Sequence, residues 1–266
     1  MDNDFGEISQ DQLDRLFPAM AATPAMAAGQ SLIQSGGGLI TAQKVAVERD
    51  ENKILAKLKI LAEAAGDDYF YSWDVTNKDG TKSEISGPTI KCANDVARVY
   101  GNCVTTVDVR PTDTHHVFAA RFTDVENGSS MTRLFQQRRN QNISGKMDKE
   151  RAEDIVFQIG QSKAIRNVVA NFLATFVDYA KLQARKSMVD RFDADLPRAK
   201  TWIADRISGA GVELKAVEKY VGRTHDDWTA KDIAKVHGTI QAIKDGMVTI
   251  EEVFGSPDST LAGVTA

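Results

Sequence analysis

The dipeptide Asn127-Gly128 lies between two stretches of alternating apolar and polar residues, and it constrains the fold more than any other feature of the sequence. The sequence HHVFAARFTDV precedes it, and SMTRLFQQRRN follows it. Asn-Gly favours a two-residue type I′ turn, because both central residues of that turn have positive φ. We therefore predict an antiparallel hairpin in which Phe122 faces Arg133 and Ala120 faces Phe135.

Alternation along these two strands separates two faces of the hairpin, because successive strand residues point to opposite sides. Arg121, Gln136 and Arg138 project from one face. The opposite face is apolar and is predicted to lie against the core, with residues Phe118, Ala120, Phe122, Met131 and Phe135.

The segments around this hairpin predict an α+β fold. Residues 39–65 carry apolar side chains at helical spacing, and DYFYSWDV and TKSEI are two strands joined by a TNKDG turn. A helix follows at residues 88–100, then a strand CVTTVDVR, the Asn-Gly hairpin, and a long helix at residues 148–186. The predicted architecture is a β-hairpin, a helix, a three-stranded antiparallel meander and a long helix. Within the first hairpin, Tyr69, Tyr71 and Trp73 are predicted to form a buried face rather than to stack on bases.

Composition along the chain predicts five segments. Pro197 and a run of charges mark a boundary, and residues 200–255 contain short amphipathic stretches that predict three helices, one of them beginning at the cap-like sequence TAKD, residues 229–232. A short helix is also possible at residues 10–17. The segments are a flexible N-terminal arm (1–38), a core (39–187), a linker (188–199), a helical module (200–255) and a disordered tail (256–266).

The overall composition is that of a soluble globular protein, with 42% hydrophobic and 26% charged residues and a formal net charge of -4. No apolar run approaches the roughly 20 residues that cross a bilayer. The acidic start of the chain is unlike a signal or transit peptide, so a cytoplasmic location is expected. Cys92 and Cys103 are then expected to be free thiols.

Motifs for catalysis and metal binding are missing from the sequence, so no cofactor and no metal are expected. The segment GGGLITAQK lacks the second glycine and the hydroxyl of a phosphate-binding loop. His115 and His116 are adjacent on a strand and point to opposite faces. A metal-dependent nuclease remains an alternative, but it would require Asp124, Glu126 and Lys146 to converge, and the two acids flank a hairpin tip. The acids of MDKERAED are better explained by the positive end of a helix dipole.

Positive charge is concentrated in the middle of the chain, although the total is negative. Residues 131–170 contain eight Lys and Arg against four Asp and Glu, whereas the first thirty residues contain five acids and one arginine. Guanidinium and amide groups suit phosphate oxygens and exposed base edges. A solvated surface without a ligand is the alternative for any single residue. If the last strand and the long helix line one trough, the DNA-binding candidates are Arg133, Gln137, Arg138, Arg139, Asn140, Lys146, Arg151, Lys163 and Arg166.

Several phrases resemble the phage single-strand annealing proteins of the RecT and Redβ-like superfamily. These are SGPTI at residues 86–90, YGN at 100–102, VFAARFTDVENG at 117–128 and GQSKAIRNVVANFL at 160–173. The resemblance covers residues 40–185 and depends on the order of elements together with these scattered phrases. It includes no catalytic signature.

The resemblance implies a non-enzymatic bacteriophage protein that binds single-stranded DNA and anneals complementary strands without ATP, in recombination and repair. Such proteins assemble as rings or helical filaments, and DNA lies in a basic groove, here at Arg138, Arg139, Lys146, Lys163 and Arg166. The C-terminal helices resemble modules that dock an exonuclease or the host single-strand-binding protein. A third interpretation is an interaction factor in which the basic cluster has no role.

Overall fold

The computed structural model describes residues 32–35, 38–41, 47–77, 79–139 and 148–255. The elements in these ranges are, in order, β1 (Leu32–Ser35), β2 (Gly38–Thr41), α1 (Glu51–Ala65), β3 (Phe70–Thr76), β4 (Lys82–Pro88), α2 (Ile90–Tyr100), β5 (Cys103–Pro111), β6 (His115–Asp124), β7 (Ser130–Arg138), α3 (Lys149–Phe172), α4 (Ala174–Ala194), α5 (Leu196–Gly209), α6 (Leu214–Val221), α7 (Ala230–Lys244) and α8 (Ile250–Phe254). Short 3₁₀ helices occupy Gly66–Tyr69 and His225–Asp227. The predicted α+β class is confirmed. None of the helices in these ranges is long and apolar enough to cross a membrane.

The chain forms two compact units that interleave along the sequence. The first unit contains Met1–Arg49 and Asn102–Val168, and the second contains Asp50–Gly101 and Val169–Ala266. This division differs from the predicted succession of an arm, a core and a C-terminal module. Most of the predicted arm and all of the predicted tail lie outside the described residues.

The segment predicted to be a linker, residues 188–199, is helical apart from a single junction. Helix α4 continues to Ala194, and α5 begins at Leu196. Asp195 caps α5 by accepting a hydrogen bond from the Arg198 N–H, and Pro197 lies in the first turn. Proline is tolerated there because the first helical N–H groups have no partner within the helix. The proline therefore marks the start of a helix rather than a linker.

Two predicted helix boundaries also need correction. Asp50 caps α1, so the helix begins at Glu51 and not at residue 39, and residues 38–41 form the strand β2 paired with β1. The long helix predicted at residues 148–186 is divided at Leu173, where φ is -106° and ψ is 36°. The apolar stripe that suggested one helix is shared by α3 and α4.

The first unit contains an antiparallel sheet in the order β5-β6-β7. Its second hairpin has Ala120 opposite Arg133 and Phe118 opposite Phe135, which is two residues away from the predicted register. A shift of two leaves every side chain on its predicted face, because the side-chain period of a strand is two. The division into an apolar face and a face with Arg121, Gln136 and Arg138 is therefore confirmed.

The register differs because the loop of this hairpin is longer than the Asn-Gly pair. The Gly128 N–H donates to the Asp124 carbonyl at 2.9 Å, and the Asp124 N–H donates to the Ser129 carbonyl at 2.8 Å. Four residues, 125–128, therefore form the loop, with Gly128 at φ 72°. The Val125 N–H donates to the Asn102 carbonyl at 2.8 Å, which fixes the loop to the start of β5.

A buried ion pair holds the base of this loop. The Arg49 guanidinium donates two hydrogen bonds to the Asp124 carboxylate, at 2.5 and 2.9 Å, and the Arg49 backbone N–H donates to the Glu126 carboxylate at 3.0 Å. Asp124 is fully buried. Removing one partner of such a pair leaves an uncompensated buried charge, which is strongly destabilising.

Helix α3 covers the apolar face of the sheet. The Phe157 ring lies 5.6 Å from the Phe118 ring and 5.2 Å from the His116 ring, between centroids. At Gly160 a Cβ atom would lie 2.6 Å from the Phe118 ring and 3.0 Å from the Gln137 side chain. A glycine at this position therefore lets the helix approach the sheet closely.

The second unit is built around the hairpin β3-β4, in which Trp73 pairs with Ile85. Tyr69, Tyr71 and Trp73 are buried, and the rings of Tyr71 and Trp73 stack with centroids 5.8 Å apart. The prediction that these aromatics form a buried face is confirmed. Helices α5 to α7 bury a further cluster that includes Ile203 and Trp228.

In the second unit one predicted helix start needs correction and one predicted cap is confirmed. Thr89 caps α2, so the helix begins at Ile90, and Pro88, expected in its first turn, is the last residue of β4. The predicted cap at residues 229–232 is a full capping box, in which the Thr229 hydroxyl and the Asp232 carboxylate exchange hydrogen bonds with each other's backbone. The predicted three C-terminal helices are four in the structure, α5 to α8.

Candidate nucleic-acid interface

The face of the sheet opposite α3 carries arginines from all three strands. Thr106 and Thr132 flank Arg121 across the sheet, and Arg110 and Gln136 flank Val117. Arg138 lies opposite His115 at the end of the sheet. Paired residues of an antiparallel sheet point to the same side. We name this surface the arginine face and define it by Thr106, Arg110, Arg121, Thr132, Gln136 and Arg138.

The arginine face has exposed arginines at its ends and a half-buried arginine at its centre. Arg110 and Arg138 are exposed, whereas Arg121 is half-buried and donates from Nε to the Thr132 hydroxyl at 3.2 Å. Val117 and Ala119 of the central strand are buried between these side chains. Long polar side chains thus stand on a floor of small apolar ones.

The balance of charges on this surface favours an anionic ligand. Among the described residues of the three strands, Asp108 is the one acid on the arginine face, which carries three arginines. Arg138 pairs with the residue six positions before Arg121 on β6, a distance of ~20 Å at about 3.3 Å per strand residue. The cations therefore extend over a length that several nucleotides of a single strand would cover.

The nine residues predicted from sequence do not form a single trough among the described residues. Gln137 and Arg166 are buried, with 3% and 7% of their surfaces exposed. Arg133 and Arg138 are both exposed but lie on opposite faces of the sheet. Asn140 and Lys146 lie outside the described residues.

The other predicted cations belong to α3 or to its contact with the sheet. Arg139 is held by the Glu153 carboxylate, with Nη2 and Nε at 2.5 and 2.7 Å, and it also donates to the Thr112 carbonyl at 3.1 Å. On the same helix Arg151 is exposed and Lys163 is half-buried. Helix α3 covers the apolar face, so these residues lie on the side of the sheet opposite Arg138.

Strand alternation explains why the predicted trough is not formed. Residues 133, 137 and 139 have the parity of the apolar face, whereas 136 and 138 have the parity of the arginine face. Three of the six residues that define the arginine face, Thr106, Arg110 and Thr132, were missed from sequence. The signal for Thr106 and Arg110 was the alternation of CVTTVDVR together with its pairing to β6, and the signal for Thr132 was the alternation along β7.

His116 lies on the face of the sheet that α3 covers, and its surroundings show that this face is a packed interior and not a binding surface. The imidazole packs against Phe157, and its Nε2 lies 4.0 Å from Glu153. Burial lowers the pKa of His116, and the nearby Arg139 guanidinium lowers it further. The surroundings of this face therefore favour a neutral imidazole in a packed interior.

The acids of the hairpin loop are engaged by Arg49. Hydrogen bonds from the Arg49 N–H and the Asn102 amide lower the pKa of Glu126. Across the ranges that the structure describes, no group of three or more His, Cys, Asp and Glu side chains is placed to hold a metal ion. Asp124 and Glu126 therefore serve the hairpin in this structure.

Comparison of the chain with protein-family models, with curated proteins and with solved structures finds no match in any of the three. The functional assignment therefore depends on the chemistry and geometry of the residues themselves.

Proposed function

We propose that the protein binds single-stranded DNA on the arginine face and anneals complementary strands without nucleotide or metal. The observation that supports this most is that Arg110, Arg121 and Arg138, one from each strand, lie on one side of the sheet. Guanidinium groups bind phosphate oxygens in bidentate geometry. A strand of DNA laid across the sheet would neutralise the charge on this face.

The neighbouring side chains favour binding without sequence preference. Thr106, Thr132 and Gln136 offer hydroxyl and amide groups to phosphate and sugar oxygens, and such contacts position a strand without reading its sequence. Annealing requires that bases stay accessible while the repulsion between two polyanions is reduced. A row of backbone contacts meets that requirement, and no nucleophile or general acid is needed.

The wider context of this proposal follows from the resemblance to phage annealing proteins. The protein would act in the cytoplasm of a bacterial host during phage recombination and repair. Copies placed side by side would extend one arginine face into a continuous track, as a ring or a helical filament according to whether the interface closes. The C-terminal helices would recruit an exonuclease or the host single-strand-binding protein.

The nuclease alternative has weaker support in the described residues. Asp124 and Glu126, the acids that it would require, are bound by Arg49. No specific observation favours hydrolysis over binding.

The decisive experiment is the salt dependence of single-stranded DNA binding by the full chain. Replacing Arg110, Arg121 and Arg138 together with Ala is expected to weaken binding. Each lost phosphate contact should flatten the log–log salt slope by ~0.7, so the triple variant should lose about 2. Fluorescence anisotropy with a labelled oligonucleotide measures both quantities.

The matched control is Arg133→Ala, because Arg133 is exposed on the same strand as Arg138 but lies on the opposite face. Binding by this variant should equal that of the unaltered protein. An equal loss from Arg133→Ala and Arg138→Ala would remove the arginine face as the site. Failure of the unaltered protein to bind or anneal single strands at low salt would refute the proposed function.

A further inference from the structure

Strand β4 is an open edge of the hairpin in the second unit. Its ladder partner among the described strands is β3, and residues 82–86 of β4 are exposed. The other edge of the hairpin is closed by a side chain, because the Asp74 N–H of β3 donates to the Tyr220 hydroxyl at 3.0 Å. A free strand edge presents unpaired N–H and C=O groups to a further strand. The hairpin can therefore be extended along β4.

The hydrogen bonds of the hairpin determine which groups of β4 point outward. The Asn77 N–H donates to the Thr81 carbonyl at 2.8 Å where the strands begin, and bonded pairs alternate with non-bonded pairs along an antiparallel ladder. The residues whose backbone groups point away from β3 are therefore Lys82, Glu84 and Ser86. These groups have no backbone partner within the described part of the chain. They form the bonding edge of β4.

The charges on this edge are complementary to themselves in one register. Lys82 and Glu84 are two residues apart, both at outward-bonding positions. If a second β4 lies antiparallel and the pairing is centred on Ser83, Lys82 of each copy lies opposite Glu84 of the other. Sliding one strand by two residues in either direction instead places Glu84 opposite Glu84 or Lys82 opposite Lys82, and like charges directly opposite are destabilising. Side-chain charge and backbone bonding therefore favour the same register.

We infer that β4 is an interface at which a second copy of the chain adds its own β4, antiparallel and centred on Ser83. The contact is two-fold symmetric, because each copy contributes the same edge. Arg185 of the same copy already pairs with Glu84 at 3.0 Å, but the Glu84 side chain is 37% exposed and a carboxylate accepts several hydrogen bonds. Ile85, which is 41% exposed, would lie opposite Thr81 of the second copy and lose contact with water. The inference does not depend on DNA binding.

Analytical ultracentrifugation of the full chain without DNA tests the inference. The concentration series extends into the high micromolar range, because small contacts are weak, and a dimer is expected. Lys82→Glu and Glu84→Lys each place like charges opposite one another at both pairs, so each should raise the Kd of the dimer roughly tenfold. The control is Lys57→Glu, the same charge change at an exposed lysine of α1 in the same unit, and it should leave the Kd unchanged.

Mixing the two variants separates lost pairing from a folding defect. In a mixed dimer, Glu at position 82 of one copy faces Lys at position 84 of the other, and the second pair is Glu84 with Lys82. The equimolar mixture should therefore dimerise as the unaltered protein does, whereas misfolded chains would not recover. A monomer at every concentration would overturn the inference. Dimerisation that neither charge reversal weakens, or that mixing does not restore, would also overturn it.

Hydrogen exchange followed by mass spectrometry locates the contact. Exchange of the amides of residues 82–86 should slow as the protein concentration rises, because the outward N–H groups become bonded in the dimer. Exchange rates at β4 that do not change while the protein dimerises would place the interface elsewhere and refute the inference.

Discussion

The two faces of the β5-β6-β7 sheet are made from the same three strands and have opposite physical characters. On the face under α3, Phe118, Ala120 and Phe122 are completely buried. On the other face, Arg110 and Arg138 are exposed and the apolar residues beneath them are small. The covered face stabilises the unit by burying apolar surface. The arginine face exposes charged side chains that do not have to be buried in the hydrophobic core.

This difference teaches that a cluster of cations in sequence is not a cluster in space. Gln137 and Arg138 are neighbours in the chain, yet one is buried under α3 and the other is exposed on the arginine face. Arg139 returns to the covered side and is neutralised by Glu153. In a strand, alternate residues of a basic segment point to opposite faces of the sheet. Helix α3 packs on one of these faces, so only the residues of the other face remain accessible.

The largest expected effect tests whether only the covered face stabilises the unit. Phe118→Ala should lower the free energy of unfolding by about 3–5 kcal/mol, because it removes a fully buried ring that contacts Phe157 and leaves a cavity. Urea denaturation of the full chain, followed by circular dichroism, measures this change.

Leu134→Ala provides the comparison from the arginine face. Leu134 pairs with Ala119 and is 40% exposed, so its truncation should cost less than ~1 kcal/mol. Similar losses from the two substitutions would mean that both faces are packed, and the arginine face would then not be an open surface.

The sequence predicted the elements and faces of this sheet because those depend on local alternation. The strands 103–111, 115–124 and 130–138 all follow that pattern, and the grouping of Arg121 with Gln136 and Arg138 follows from it. A register shift of two residues leaves every side chain on the same face of the sheet. The face assignment was therefore correct although the predicted register was wrong by two.

The parts that sequence reasoning did not reach depend on residues that are distant in the chain. The four-residue loop is held by Arg49, 75 positions away from Asp124. The burial of Arg166 and the pairing of Arg139 with Glu153 depend on which side of α3 meets the sheet. Capping by Asp50 likewise decides where α1 begins, although apolar spacing alone extends the helix to residue 39.

An intermediate effect tests how closely α3 approaches the covered face. Gly160→Ala places a methyl group against the Phe118 ring, with an overpacking cost of about 1–3 kcal/mol. Alanine recovers up to ~1 kcal/mol of helix propensity, so a net loss of about 1 kcal/mol is expected. Thermal denaturation of the full chain measures the difference.

Gly209→Ala is the matched helical control. A Cβ atom at Gly209, the last residue of α5, meets nothing within 4 Å. This substitution should be neutral or slightly stabilising, opposite in sign to Gly160→Ala. Stabilisation by both would show that the helix does not rest on Phe118.

The smallest expected effect uses His116, the buried histidine of the covered face. Burial and Arg139 lower the pKa of His116, while Glu153 partly opposes them. The unfolded chain then binds a proton at this position more readily than the folded chain, so His116 should reduce stability as pH falls below about 6.5 and contribute nothing above it. In His116→Gln, the free energy of unfolding should decline less between pH 8 and pH 5 than in the unaltered protein. An unchanged decline in His116→Gln would mean that the covered face does not exclude charge, and the contrast between the faces would then be one of shape alone.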